Sequence, residues 1–389
     1  MKKYLLLNLF FIPLLSISQE QWIRKNDFPN SERDDGVAFS IDQYGYFGTG
    51  LDAGFQFRDD FWEYNPLSDT WIQKADFGGT RRQYAVGFSV SGKGYIATGF
   101  DFTGNCMNDL WEYDAIHNHW NQKASMPTTG RMAASAFVIG SQAYICSGRT
   151  QAGIYLNDCW RYDPATDSWQ QMNSIPAQGV CFAVSFSANG YGFVTTGRDS
   201  INHFNNQLWR FDSSTNNWSQ MRSLPGAPRT YAAGFSSATN GFVFGGMDSS
   251  SIYLNDLWEY DLFTDNWKQQ VSFPSFSRKG MSVFAFDNTA YLVTGIDSLN
   301  QRTKELWQYT SFQDKVDVSI YPNPSPGWIQ VNGCEDGIIT FYDIHGFTTG
   351  SGTILFNHER ISLLNFKPGF YIYKVDVNGT VYIGKIIIQ

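Results

Sequence analysis

Shifted against itself by 49 residues, this chain brings six copies of one unit into register without a gap. Trp62, Trp111, Trp160, Trp209, Trp258 and Trp307 keep that step. So do Trp22, Trp71, Trp120, Trp169, Trp218 and Trp267, and the glycines Gly50, Gly99, Gly148, Gly197, Gly246 and Gly295. With a period of this size, each copy is one supersecondary unit that cannot bury its apolar face alone, so the fold has to stack its copies. Six interchangeable units leave little room for a specialised catalytic loop, which weighs against most enzyme readings.

Between Arg33 and Lys74, Gly36 to Ile41 and Tyr44 to Gly48 form short apolar runs, Phe61 to Tyr64 alternates, and Thr70 to Gln73 makes a fourth run. Short aromatic and β-branched segments divided by Gly, Asn, Asp and Pro read as antiparallel strands. Four strands per unit, repeated six times, predict an all-β, six-bladed propeller around a channel. Phe39, Phe88, Phe137, Phe186, Phe235 and Phe284 share one phase and are expected to pack between blades with both tryptophan series. Asn65, Asp114, Asp163, Asp212 and Asp261 fall at the turn before the fourth strand, where a short polar side chain can bond its own backbone. The slot that follows Trp267 in its series is Val316, whereas Trp22 stands near the N-terminus. The first strand is therefore expected to be the outer strand of the last blade, which closes the ring and removes its open edge.

The glycine pair or Thr-Gly, followed by an Asp-x-Trp-x-Tyr-Asp block and a later tryptophan, resembles the kelch repeat. Gly245-Gly246 with Asp256-Leu257-Trp258-Glu259-Tyr260-Asp261 and Trp267 is the fullest copy. Most other copies have Thr-Gly or Ser-Gly where the family has two glycines. The resemblance implies the propeller fold and says little of function.

The two ends differ from the repeat. Lys2-Lys3, an apolar run from Tyr4 to Leu15 and Ser16-Ile17-Ser18 make a secretory signal peptide over residues 1–18, cut after Ser18. A non-cleaved anchor is the alternative, but the run is short for a bilayer span. The propeller then takes residues 19–312. From 313 to 389 the period stops; Tyr321-Pro322-Asn323-Pro324 punctuates a linker. Runs over Ile338 to Tyr342, Phe370 to Val375 and Val381 to Ile388 suggest a small Ig-like β-sandwich. Its Tyr-Pro-Asn-Pro start, the segment Pro368 to Val375 and the terminal Gly384 to Ile388 resemble the C-terminal sorting domain of the Bacteroidota type IX secretion system. That resemblance implies the type IX machinery as the partner of residues 313–389. It also implies passage through the outer membrane, removal of the tail at the surface, and a mature protein that is extracellular or surface-attached without a transmembrane segment. An accessory carbohydrate-binding sandwich is the alternative.

A formal charge of −8 argues against a general nucleic-acid binder, whose surface would be basic. Cys106, Cys146, Cys159, Cys181 and Cys334 form no C-x-x-C and no framework; Cys146 with Cys159 is the one pairing the strands suggest. Cys159 occupies the slot of Phe61, Leu110, Leu208, Leu257 and Leu306 and is expected in the core. His117, His119, His203, His345 and His358 give no zinc spacing, and no nucleophile elbow occurs. Kelch-containing galactose oxidases need a copper site of tyrosines, histidines and a cross-linked cysteine, and no residues match it. No catalytic residue, metal site or cofactor is assigned.

Arginines carry the remaining signal. Arg33, Arg82, Arg131, Arg229 and Arg278 occupy one phase, with Val180 as sixth member. Preceding the innermost strand, they are expected to point toward one mouth of the channel. Asp52, Asp101, Asp199, Asp248 and Asp297 share another phase, whose sixth member is Thr150. Pairing each Asp with the Arg of the following unit leaves Thr150 against Val180, both charges absent together. The five arginines are accordingly read as structural, in interblade salt bridges at a wet rim, over a ring that binds a ligand. After the phased glycine, four units have Leu51, Phe100, Met247 and Ile296, but two adjacent ones have Arg149 and Arg198. Those two are the candidate ligand-binding residues, for an anionic group; solvated loop arginines are the alternative. The resulting reading is a secreted or cell-surface module that binds a glycan or protein. A carbohydrate-active enzyme of the sialic-acid mutarotase type and a structural or adhesive surface protein are the alternatives.

Overall fold

The computed structural model describes residues 21–311 except 238 and 287, and then 319–321, 323–332, 337–343, 347–354, 359–377 and 380–389. The signal-peptide segment and Val316 lie outside these residues. Along its sequence the chain divides into two compact units, the boundary falling after Ser311. All regular structure described is β.

The first unit is six four-stranded antiparallel sheets. Blade 1 runs outward through Val37–Ile41, Tyr44–Gly48, Phe61–Asn65 and Thr70–Gln73. Blades 2 to 5 repeat this order from innermost strands Val86–Val90, Ser135–Ile139, Val184–Ala188 and Ala233–Ser236. Blade 6 takes Ser282–Phe286, Thr289–Val293 and Leu306–Thr310, and its outer strand is Gln21–Lys25, with Trp22 opposite Tyr309. The innermost strands touch in cyclic order, sixth against first. Ser40 Oγ donates to the Ala285 carbonyl and Ser282 Oγ to the Gly36 carbonyl, each at 2.9 Å, across that seam.

Two periodic devices lock neighbouring blades. Phe39, Phe137, Phe186 and Phe284 each occupy the space that a Cβ would need on Gly94, Gly192, Gly241 and Gly45 of the next blade. A side chain at those glycines would meet the ring at 2.0–2.2 Å, so bulk on one strand requires its absence on the other. The outer tryptophans act at the rim: Nε1 of Trp71, Trp120, Trp169, Trp218 and Trp267 donates to the carbonyl of Asn26, Ala75, Ala124, Asn173 and Arg222. Trp22 makes the sixth such bond, to Val271, and packs on Phe244, Phe273 and Tyr309. In the turns before the fourth strands, Asn65, Asp114, Asp163, Asp212 and Asp261 accept from the backbone two residues on. Cys159 is fully buried and joined by a disulfide to Cys146 on the adjacent strand of blade 3.

The second unit pairs a three-stranded sheet (Ser319–Tyr321, Trp328–Asn332, Glu359–Ser362) with a four-stranded one (Thr348–Ile354, Gly337–Tyr342, Gly369–Val377, Thr380–Ile388). Ile329, Val331, Ile339, Phe341, Val375 and Ile386 form its buried core.

Candidate functional site at the channel mouth

At one end of the channel, position 35 and its equivalents 84, 133, 182, 231 and 280 all adopt left-handed backbone, with φ of 52–65°. Their amides pass a bond from blade to blade: Asp35 to Gly280, Tyr84 to Asp35, Ala133 to Tyr84, Phe182 to Ala133 and Gly280 to Tyr231, at 2.9–3.2 Å. A tyrosine or phenylalanine pays in strain for this conformation, and such strain gathers at functional sites. The bulky members cap the channel, with ring centroids 5.0 Å apart for Tyr84–Phe182 and 3.9 Å for Phe182–Tyr231.

Charged groups surround that cap. Asp34 accepts from Arg302 Nε at 2.6 Å. Desolvation and the adjoining Asp34 charge hold the Asp35 carboxyl well above the usual carboxylate range, against the pull of Lys279 and Arg302. Lys279 lies over the rings of Tyr253 (4.8 Å) and Tyr231 (5.3 Å). Burial pushes the Tyr84 and Tyr231 hydroxyls up, and the Asp35 charge adds to it.

Arg149 and Arg198 stand on this rim. Arg198 lies 5.7 Å over Phe182 and donates to Asn202 at 3.0 Å; Arg149 lies 5.8 Å over Tyr155. Both are within electrostatic reach of Tyr155 and the buried Cys181 thiol, which desolvation pushes up. Neither has a carboxylate partner among the described residues, and the Nε of each is buried without an acceptor.

The five phased arginines are placed otherwise than the sequence suggested. Arg33, Arg82, Arg131, Arg229 and Arg278 are enclosed, at most 1% exposed, and do not face the channel mouth. Nor do they pair with Asp52 and its equivalents in the preceding unit. Each reaches 27 residues onward, to Asp60, Asp109, Asp158, Asp256 and Glu305. Those carboxylates also accept Nε1 of Trp62, Trp111, Trp160, Trp258 and Trp307, two residues further along. Asp52, Asp101, Asp199, Asp248 and Asp297 instead accept the amide four residues on in their own loops, and Thr150 Oγ1 does the same for Ile154. A short carboxylate satisfied by its own turn has no reason to reach across a blade boundary. This second acidic series directly precedes the Phe-Trp, Leu-Trp or Cys-Trp pair in five of the six units, a signal present in the sequence; in the remaining unit Gln207 takes its place.

Among the described residues one histidine cluster forms. Asp114, His117 and His119 bring their ligand atoms within 4.8 Å on an outer turn. Asp114 is already bonded to Lys93 (2.8 Å) and His117 (2.9 Å), contacts that hold its carboxyl well below the usual range, and the cluster is not assigned as a metal centre.

Comparison with known proteins agrees with this geometry. Residues 319–389 match the secretion system C-terminal sorting domain, and residues 130–176 match the kelch motif. No curated protein matches the sequence. The solved structure titled "Structure of YjhT" superposes with a TM-score of 0.62 at 15% identity, covering 72% of this chain and 96% of that one. The protein is thus a kelch-repeat β-propeller with a C-terminal type IX sorting domain. Such a tail marks the chain for export.

Proposed function

We propose that this is an exported binding propeller that captures an anionic group of a glycan or protein at its channel mouth. The observation that carries the reading is the pair Arg149 and Arg198, two rim guanidiniums without a carboxylate partner among the described residues, each lying over an aromatic ring. An arginine whose donors are spent on a carboxylate holds the fold; one with free donors can bind a carboxylate, sulfate or phosphate bidentately. Residues 313–389 hand the chain to the type IX machinery, after cleavage following Ser18, and are removed at the surface. A glycan and peptide array probed with the mature protein tests this. Acidic ligands should be retained at the rim, and Arg149→Ala with Arg198→Ala should lose them. Retention of neutral ligands only would refute the reading.

Asp35 favours a second reading, an enzyme acting on a sugar at the same mouth. A carboxyl that burial and the Asp34 charge hold well above the usual range, lining one pocket with Tyr84 and Tyr231, is equipped to move a proton. Exchange between sugar anomers, followed by NMR and lost in Asp35→Asn, would support it; simple adhesion predicts neither turnover nor saturable binding.

A further inference from the structure

Blade 4 breaks the structural rule of the other five. Where they have a buried arginine on a carboxylate, it has Val180 and Gln207, 27 residues apart like each of the pairs. Three consequences follow locally. The indole Nε1 of Trp209, which in every other blade donates to that carboxylate, is buried and has no acceptor. Among the described residues no guanidinium reaches the Thr196 carbonyl, whose counterparts at Thr49, Thr98, Ser147 and Gly245 each accept one. A cavity of about 710 Å³ opens beside Val180, Gln207 and Trp209, a volume suited to a small ligand.

The lining decides the ligand chemistry. Gln178, Gln207 and Gln220 face this cavity, and their side-chain amides make no hydrogen bond among the described residues. Pro176, Ala177 and Pro228 supply apolar wall. A free guanidinium from another chain would find the slot but not the carboxylate, because the negative partner was lost with the positive one. An anion would meet no buried cation, and Asp199 would repel it. Side-chain amides that both donate and accept, set beside the Trp209 side chain and the rings of Pro176 and Pro228, match the alternating hydroxyls and C–H faces of a neutral sugar.

We infer that blade 4 carries a binding site for a neutral saccharide unit, formed by Trp209, Gln207, Gln178 and Gln220 in the place of the missing ion pair. Neither rim arginine lines it. Val180→Arg with Gln207→Asp rebuilds the pair of the other blades and fills the slot. Methyl glycosides of glucose, galactose, mannose and N-acetylglucosamine, titrated into the mature protein and followed by saturation-transfer NMR, provide the probe. At least one should bind in the millimolar range, and the rebuilt variant should lose it while melting no lower than wild type. Should that variant fold poorly, Gln178→Ala with Gln220→Ala, both at exposed positions, should weaken binding roughly tenfold. Absence of any binding by the wild type, or equal binding by the variants, overturns the inference. So would a response to charged sugars alone.

Discussion

Arg82→Ala is expected to be among the most damaging single changes in the ring. The side chain is fully buried, and its guanidinium donates to Asp109 at 2.6 and 2.8 Å, to the Thr98 carbonyl at 2.8 Å and to Thr80 at 2.9 and 3.1 Å. It also stacks on Phe77 at 4.9 Å. Truncation leaves the Asp109 side chain, 12% exposed, with the Trp111 indole as its remaining partner at 2.8 Å. Removing one member of a buried pair costs about 3–5 kcal/mol, far above the ~0–1 kcal/mol of a rim contact. For a ring of this size that corresponds to a melting shift of roughly 5–8 °C. Urea unfolding of the mature protein gives the first number, and a double-mutant cycle assigns it. Arg82 and Asp109 should couple by about 2–3 kcal/mol, while Arg82 and Asp52 should be additive within about 0.5 kcal/mol. Arg82→Met with Asp109→Leu should recover much of the loss, since apolar replacements leave no orphaned charge. A cost below about 1 kcal/mol for Arg82→Ala, or a stronger coupling to Asp52, would refute this account of the arginine.

Trp22→Ala should destabilise the ring by about 3–5 kcal/mol, because it removes both the indole packing and the bond that ties the first strand to Val271; unchanged chemical unfolding would contradict closure by this strand. Glu305 gives a pH signature: burial raises its pKa, but bonds from Trp307, Arg278 and Arg24 prevail and bring it from 4.5 to about 2. Its stabilisation should be complete above pH 4.5 and lost as the pH falls through about 2, on the order of 1–2 kcal/mol after allowance for partial exposure, with Glu305→Gln abolishing that dependence. A chain ending at Ser311 should fold and remain in the periplasm of its host; its appearance at the cell surface would contradict a sorting role for the tail.

The ring was legible because its determinants recur by residue type. Tryptophan, glycine and phenylalanine hold their phase, and the outer tryptophans make the same rim bond in every blade. The arginine partners were harder. Each unit offers two acidic positions, and phase alone does not tell which is within reach. The deciding fact is local: the same carboxylate must also satisfy a tryptophan two residues later, as Asp109 does for Trp111. The channel cap was not legible at all. Asp35, Tyr84, Ala133, Phe182, Tyr231 and Gly280 share a conformation but not a residue type, so their common role shows only in the backbone. Val180 is legible in the sequence as the missing arginine, but Gln207 becomes legible as its partner only once the 27-residue pairing is known, and the cavity is lined by both.

Residues that keep the repeat should build the ring, and charged or polar residues that break it should bind. Measuring melting temperature and binding to an acidic array ligand side by side, for wild type, Arg82→Ala and Arg149→Ala with Arg198→Ala, tests that division most directly. Expected is a large melting loss with affinity kept in the folded fraction for Arg82→Ala, and loss of binding with little melting change for the rim pair. Loss of binding in folded Arg82→Ala, with the rim variant still binding, would contradict it.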